Sequence, residues 1–276
     1  MQPALGLIYL TFRELWTKKI VLGLFVISSL ILVMVAFALN LDVVDGSLAG
    51  LRLFGQTPDG SMEGLSLEEL VLGVESVVAG LTYWIGILLA LFATAPLSVS
   101  LLERGHIDLL LSKPMSRSTL FASHVAGVWI AVGILALYLM GGVWFIMSIK
   151  TGVWHFSFLA SIGLVVLMFG VMYSAVVLMG IWMESTALAL IVSYGLIFAS
   201  IVLVASEAVL DALDMVGSTA FMALYYVLPN FAEVSAITAN LTQGEPLDDW
   251  LPLLLALAFG AVTYTAALWI FKKRDF

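Results

Sequence analysis

The densest group of residues able to carry charge or chemistry lies in LLERGHIDLLLSKPMSRSTL, residues 101–120. Glu103, Arg104, His106, Asp108, Lys113 and Arg117 crowd this one stretch of an otherwise apolar chain. They form no nucleophile–base arrangement. His106, His124 and His155 fall on distant segments without the spacing of a metal site, and His124 reads as a packing residue. Cysteine is absent, which excludes disulfides, thiolate metal ligation and thiol catalysis. No G-x-x-x-x-G-K-[ST] stretch is present to cradle nucleotide phosphates. From Gly105 to Lys113 the pattern is helical: Ile107, Leu110 and Leu111 share a face, His106, Asp108 and Ser112 lie elsewhere, and Pro114 ends the run. A solvated loop does not need three consecutive leucines, and a membrane span does not tolerate these charges. The stretch therefore predicts a short amphipathic surface helix. It is either a connector whose basic residues anchor topology or a docking helix that a partner pushes. Glu103 and Arg104 would then transmit force, or simply snorkel and fix a helix end. Arg117 and Lys113 could meet lipid phosphates instead.

A second pattern is Met168, Met172, Met179 and Met183, which fall in one helical stripe about 60° wide at about 100° per residue. Thioethers in a row could pass Cu(I). The favoured reading is that methionine fills gaps between helices, so no metal site is predicted.

These residues need a scaffold, and composition defines it. Hydrophobic residues make up 62% of the 276 and charged residues 11%, against about 25% charged in soluble domains. Continuous apolar runs long enough to cross a bilayer recur along the chain, and they favour helices over a barrel. The predicted fold class is an all-α integral membrane protein, a single transmembrane domain over 1–276. Its six spans are expected at 20–40, 76–100, 120–148, 156–181, 187–206 and 250–271. Their interiors hold no Asp, Glu, Lys or Arg, which argues against an ion-coupled carrier or channel. With six spans, nine of the eleven basic residues fall on the side of the termini, and only Arg52 and Lys150 fall opposite. The positive-inside rule then puts both termini and loop 101–119 in the cytoplasm, as in a multi-pass inner (plasma) membrane protein, with a bacterial source expected. The outer segments 41–75 and 207–249 are acidic, a surface suited to a basic extracytoplasmic partner and not to nucleic acid. Trp182 and Trp269, then Trp144, Trp154 and Trp250, fall near predicted span ends; Trp84 and Trp129 are expected between helices.

Smaller features refine the plan. In residues 1–19, Leu7, Ile8, Thr11, Phe12 and Leu15 share a face, with Arg13, Glu14, Lys18 and Lys19 around it, as in an interfacial helix. Ala36-Phe37-Ala38 has a cleavage-site form, but the preceding run of about 16 residues favours an uncleaved span. Segment 41–75 reads as a glycine-rich irregular loop leading to a helix at Ser66, where Ser66 and Glu69 form a capping-box pattern. In 207–249, apolar pieces at 209–216 and 221–228 suggest re-entrant or interfacial helices before Pro229-Asn230. Small residues four apart, Ala256 with Gly260, Ala261 with Thr265, and Gly86, Ala90 and Thr94, offer close helix packing.

Glu103-Arg104-Gly105, followed by Leu110-Leu111-Ser112, Pro114 and Ser116-Arg117, resembles the cytoplasmic loop of ABC-2 type transporter permeases. Phe12-Arg13-Glu14 is similar to that family's elbow helix, Phe271-Lys272-Lys273-Arg274 to its tail, and Leu228-Pro229-Asn230-Phe231 to a subgroup annotated in multicopper-enzyme and nitrous-oxide-reductase maturation. His106 and Ser123-His124 depart from the usual pattern. The resemblance implies a six-span permease subunit that pairs with a second copy or a related permease and docks two cytoplasmic ABC ATPase subunits. Those subunits would bind ATP and Mg, with no cofactor in this chain and no catalysis by it. The resemblance makes 105–113 the coupling helix, with Glu103, Arg104, Gly105, Ile107, Asp108, Leu110, Leu111, Pro114 and Arg117 in contact with the ATPase. The alternative is a membrane scaffold or mechanical relay through which no substrate passes.

Overall fold

The computed structural model describes residues 19–44, 47–53, 66–100, 116–204, 214–247 and 249–274, with single positions 6, 13, 15 and 102. Apolar sequence in a medium without water must close its own backbone hydrogen bonds, and helices dominate accordingly. In chain order they are α1 (Ile20–Ala38), α2 (Leu67–Ser100), α3 (Arg117–Thr151), α4 (Ser157–Met183), α5 (Thr186–Val204), α6 (Met215–Val227), α7 (Phe231–Thr242) and α8 (Leu251–Lys273). Five of them, α2, α3, α4, α5 and α8, are long and apolar enough to cross a membrane. They match the second to sixth predicted spans. The first predicted span is α1, whose apolar stretch Val21–Phe37 is shorter; at helical rise it covers about 25 Å. The pair α6 and α7 would pass the same test together, but the two are bent by 57°.

One element departs from the all-α expectation. Leu39–Val44 (β1) and Ser47–Leu53 (β2) form an antiparallel hairpin where an irregular loop was expected. The alternation in Leu39-Asn40-Leu41-Asp42 and the valines that follow suit a strand, and Asp45-Gly46 is a hairpin-turn dipeptide. Between Asp42 and Val43 the register slips. The glycine count of 41–75 masked this local signal.

The capping box, by contrast, is as the sequence predicts. Ser66 Oγ accepts from Glu69 N at 3.1 Å, and Ser66 N donates to Glu69 Oε2 at 2.8 Å, so α2 starts sharply at Leu67. At 34 residues it is about 51 Å long, well beyond a hydrocarbon core of about 30 Å. Both α2 and α3 carry one π-helical turn, Thr82–Gly86 and Leu137–Gly141.

The bundle is organised around α4, the most buried of the five spans at 72%. Phe158, Phe169, Tyr173 and Ile181 on it are fully buried. Close approach is set by small residues. A Cβ on Gly170 would stand 1.9 Å from Trp129 Cζ2, so only glycine lets the α3 indole come this close to α4. Gly260 of α8 packs closely on Val171, where a Cβ would come within 3.3 Å of Val171 Cγ2, and the Ser174 and Thr263 hydroxyls meet across that interface. Ala256, Ala90 and Thr94 are buried as the small-residue spacing suggests, whereas Ala261 and Thr265 face outward.

Of the segment before α8, residues 209–213 of the first expected apolar piece lie outside the described residues, and the rest differs in detail. Helix α6 runs straight through the gap expected between 216 and 221, and a second helix, α7, follows the proline. The break falls at Pro229. There the Asn230 amide, with its nitrogen assigned to the end that faces acceptors, donates to the Tyr225 and Leu228 carbonyls, each at 3.0 Å, and satisfies the carbonyls that the bend strands. Tyr83 Oη then donates to Phe231 O at 2.6 Å and pins the start of α7 to α2.

Candidate functional site

Most of the sequence-predicted site falls outside the described residues: Glu103, Arg104, Gly105, Ile107, Asp108, Leu110, Leu111 and Pro114 of the loop, and Phe12 and Glu14 of the amphipathic start. Arg13 is described and exposed. What the structure does place is the rim that this loop leads into.

Arg117 opens α3 behind the Ser116 cap, whose Oγ accepts from Thr119 N. Its guanidinium Nη1 donates to Lys272 O at 3.0 Å and to Arg274 O at 2.6 Å. The last turn of a helix leaves carbonyls without intrahelical partners, and a guanidinium is well suited to them. Arg274 in turn donates to Ile181 O at the end of α4 and pairs with Glu184. Three helix ends, those of α3, α4 and α8, are thus stitched at one end of the bundle. Lys273 lies 3.9 Å from the Trp269 ring centroid at the same end. Of the nine cations predicted to share one side, Arg117, Lys272, Lys273 and Arg274 lie at this end, and Lys18, Arg104 and Lys113 fall outside the described residues.

The opposite end holds a polar pair that sequence reading missed. Glu75 of α2 is fully buried, and its Oε2 lies 2.7 Å from His155 Nδ1. Glu75 Oε1 is buried with no hydrogen-bond partner. His155 belongs to the turn from Gly152 to Phe156, which starts from a glycine at φ +76°, a left-handed conformation that side chains disfavour. Trp144 Nε1 donates to His155 O at 3.0 Å, which ties the turn to α3. Near this end Lys150 donates to Ala36 O and joins α3 to α1. The signal for Glu75 was its register: it shares a stripe with Val71, Val78 and Thr82, all buried. Grouping it with the outer acidic residues overlooked that stripe.

Met168 and Met172 are fully buried in the core of the bundle, Met179 is partly buried and Met183 is exposed. The stripe climbs α4 from the packed centre to one end. No group of three or more His, Asp or Glu among the described residues could hold a metal ion. An open groove of about 540 Å³ lies between α3 and α8, floored by Trp129 and Tyr264 and walled by Phe121, Ile130 and Leu268. Trp129 and Trp84 both sit between helices as expected: Trp129 Nε1 donates to Tyr264 Oη at 2.9 Å, and Trp84 meets the Phe231 ring at 5.2 Å.

Such a molecule is a polytopic helical membrane protein whose polar side chains join helix ends and which, among its described residues, assembles no catalytic constellation. A model of the ABC-2 family transporter protein matches residues 7–276, and the chain belongs to this family of ABC transporter membrane subunits. A search of curated proteins found no match.

Proposed function

We propose that the chain is a permease subunit that converts ATP hydrolysis by separate cytoplasmic ATPase subunits into movement of its spans. The single observation that carries this reading is the family match over nearly the whole chain. Bilayer-length helices and the absence of a phosphate-binding loop agree with it. In this reading residues 105–113 are the coupling helix, with Leu110 and Leu111 as its apolar contact. The end bearing Arg117, Lys272, Lys273 and Arg274 faces the cytoplasm of an inner membrane, where the positive-inside rule puts it. Residues 1–19 form the elbow, with Phe12, Arg13 and Glu14 at its centre. Two such permeases, identical or related, assemble with two ATPases that hold ATP and Mg. A coupling helix biases the spans between two arrangements only if its dock differs between them.

A relay that moves an extracytoplasmic partner, as a maturation system would need, is the second reading. It is supported by the acidic outer segments 41–75 and 207–249. Substrate-stimulated ATPase activity in the reconstituted complex favours export, and recovery of a basic extracytoplasmic protein favours the relay.

The test is co-purification of the tagged chain with candidate ATPases, comparing wild type, Leu110→Asp, Leu111→Asp and a control substitution in 54–65. Retention by wild type and control, with loss in both leucine variants, is the expected result. Equal retention by all four sinks the coupling assignment.

A further inference from the structure

We propose that the crevice between α1, α2 and α3 is a binding site for one hydrocarbon chain of a bilayer lipid, entered sideways from the membrane. The starting observation is that two irregularities converge. A π-helical turn widens a helix by one inserted residue, and such turns are rare and frequently fall at functional sites. Here α2 and α3 each have one, and both border the same space: Leu24 and Ser28 of α1, Thr82 and Gly86 from the α2 turn, and Leu139 from the α3 turn are walls of two adjoining cavities.

The outer cavity measures about 170 Å³ and the inner about 70 Å³, the latter closed by Phe169 of α4. The mouth lies between Ile27 and Ile85, both about half exposed on the surface of the bundle. Shape and chemistry then select the occupant. Neither cavity has a charged residue in its wall, and the Thr82 hydroxyl already donates to Val78 O at 2.7 Å. An ion or a headgroup would meet at most the Ser28 hydroxyl, which cannot compensate a buried charge. On α2 the walls run from Val78 to Ala90, about 18 Å along the helix axis at helical rise. An elongated apolar slot of that size, its mouth set among exposed apolar side chains, fits a hydrocarbon chain. Gly86 keeps it open, since a Cβ there already comes within 3.3 Å of Thr82 Cγ2.

This inference needs the membrane setting of the spans but no ATPase, so it stands or falls apart from the coupling assignment. The purified chain is reconstituted in bilayers that contain a phospholipid with a diazirine on its acyl chain, irradiated, and mapped by peptide mass spectrometry. Labelling at Leu24, Ser28 and Ile85 is expected several-fold above that at Val262, a reference position exposed on α8. Ser28→Leu and Gly86→Leu, which fill the slot, should abolish the excess and leave Val262 unchanged. Labelling no higher than at Val262, or undiminished in the filled variants, overturns the site. If neither variant folds, the wild-type ratio alone decides.

Discussion

Gly170→Ala is the sharpest probe of how this bundle is held together. The added Cβ would lie 1.9, 2.2 and 2.4 Å from three atoms of the Trp129 indole, so the ring must leave its seat. That motion also strains a chain of two hydrogen bonds, Trp129 Nε1 to Tyr264 Oη at 2.9 Å and Tyr264 Oη to Gly170 O at 2.8 Å. Overpacking costs about 1–3 kcal/mol, and an interhelical hydrogen bond within a membrane about 0.6–1.7 kcal/mol. The expected loss is about 2–4 kcal/mol, or about thirtyfold to several hundredfold in the unfolding equilibrium. A matched control lies on the same helix: a Cβ on Gly163 meets nothing within 4 Å, so Gly163→Ala should be neutral or mildly stabilising. The assay is reversible unfolding in mixed micelles of mild and denaturing detergent, followed by near-ultraviolet circular dichroism. In a Trp129→Leu background, Gly170→Ala should lose most of its penalty, because its clash partner is gone. A Gly170→Ala as mild as Gly163→Ala, or a penalty that persists without the indole, refutes the reasoning.

Three further outcomes are expected. His155→Leu strips the buried Glu75 carboxyl of its hydrogen-bond partner and should destabilise by about 1–3 kcal/mol, while Glu75→Leu with His155→Leu should recover most of it; the same detergent titration reads both. Met168→Leu and Met172→Leu should each cost under about 1.5 kcal/mol as volume-conserving changes in a packed core, and Cu(I) binding by the purified chain should not change; a lost copper signal would instead support a thioether path. Arg117→Ala strands the Lys272 and Arg274 carbonyls and should expose the C-terminal end of α8 to carboxypeptidase, with little effect on cleavage near α6.

The positions of the spans were legible because burial in lipid demands continuous apolar helix, and a helix of bilayer length leaves an unmistakable run. Trp129 between helices and the Ser66–Glu69 box were legible for the same reason: each is a local pattern with one physical solution. Three features were not. Glu75 looked like a loop acid because its partner, His155, is brought to it only by the packing of the α3–α4 turn on α2. The hairpin after α1 was overruled by glycine content, although Asp45-Gly46 carried the cue. The two π-helical turns have no sequence signature, since both read as ordinary apolar helix. Tertiary packing selects them, and the crevice they border could be found only in three dimensions.

The guanidinium of Arg117 has a mechanical meaning. Because it grips the Lys272 and Arg274 carbonyls, the first turn of α3 and the last turn of α8 are one joint. Arg274 extends that joint to α4 through Ile181 O and Glu184. A tug on the chain just ahead of Ser116 is therefore not spent on tilting a single rod. It is divided among three, and one of them is α4, the most buried span, against which the others pack.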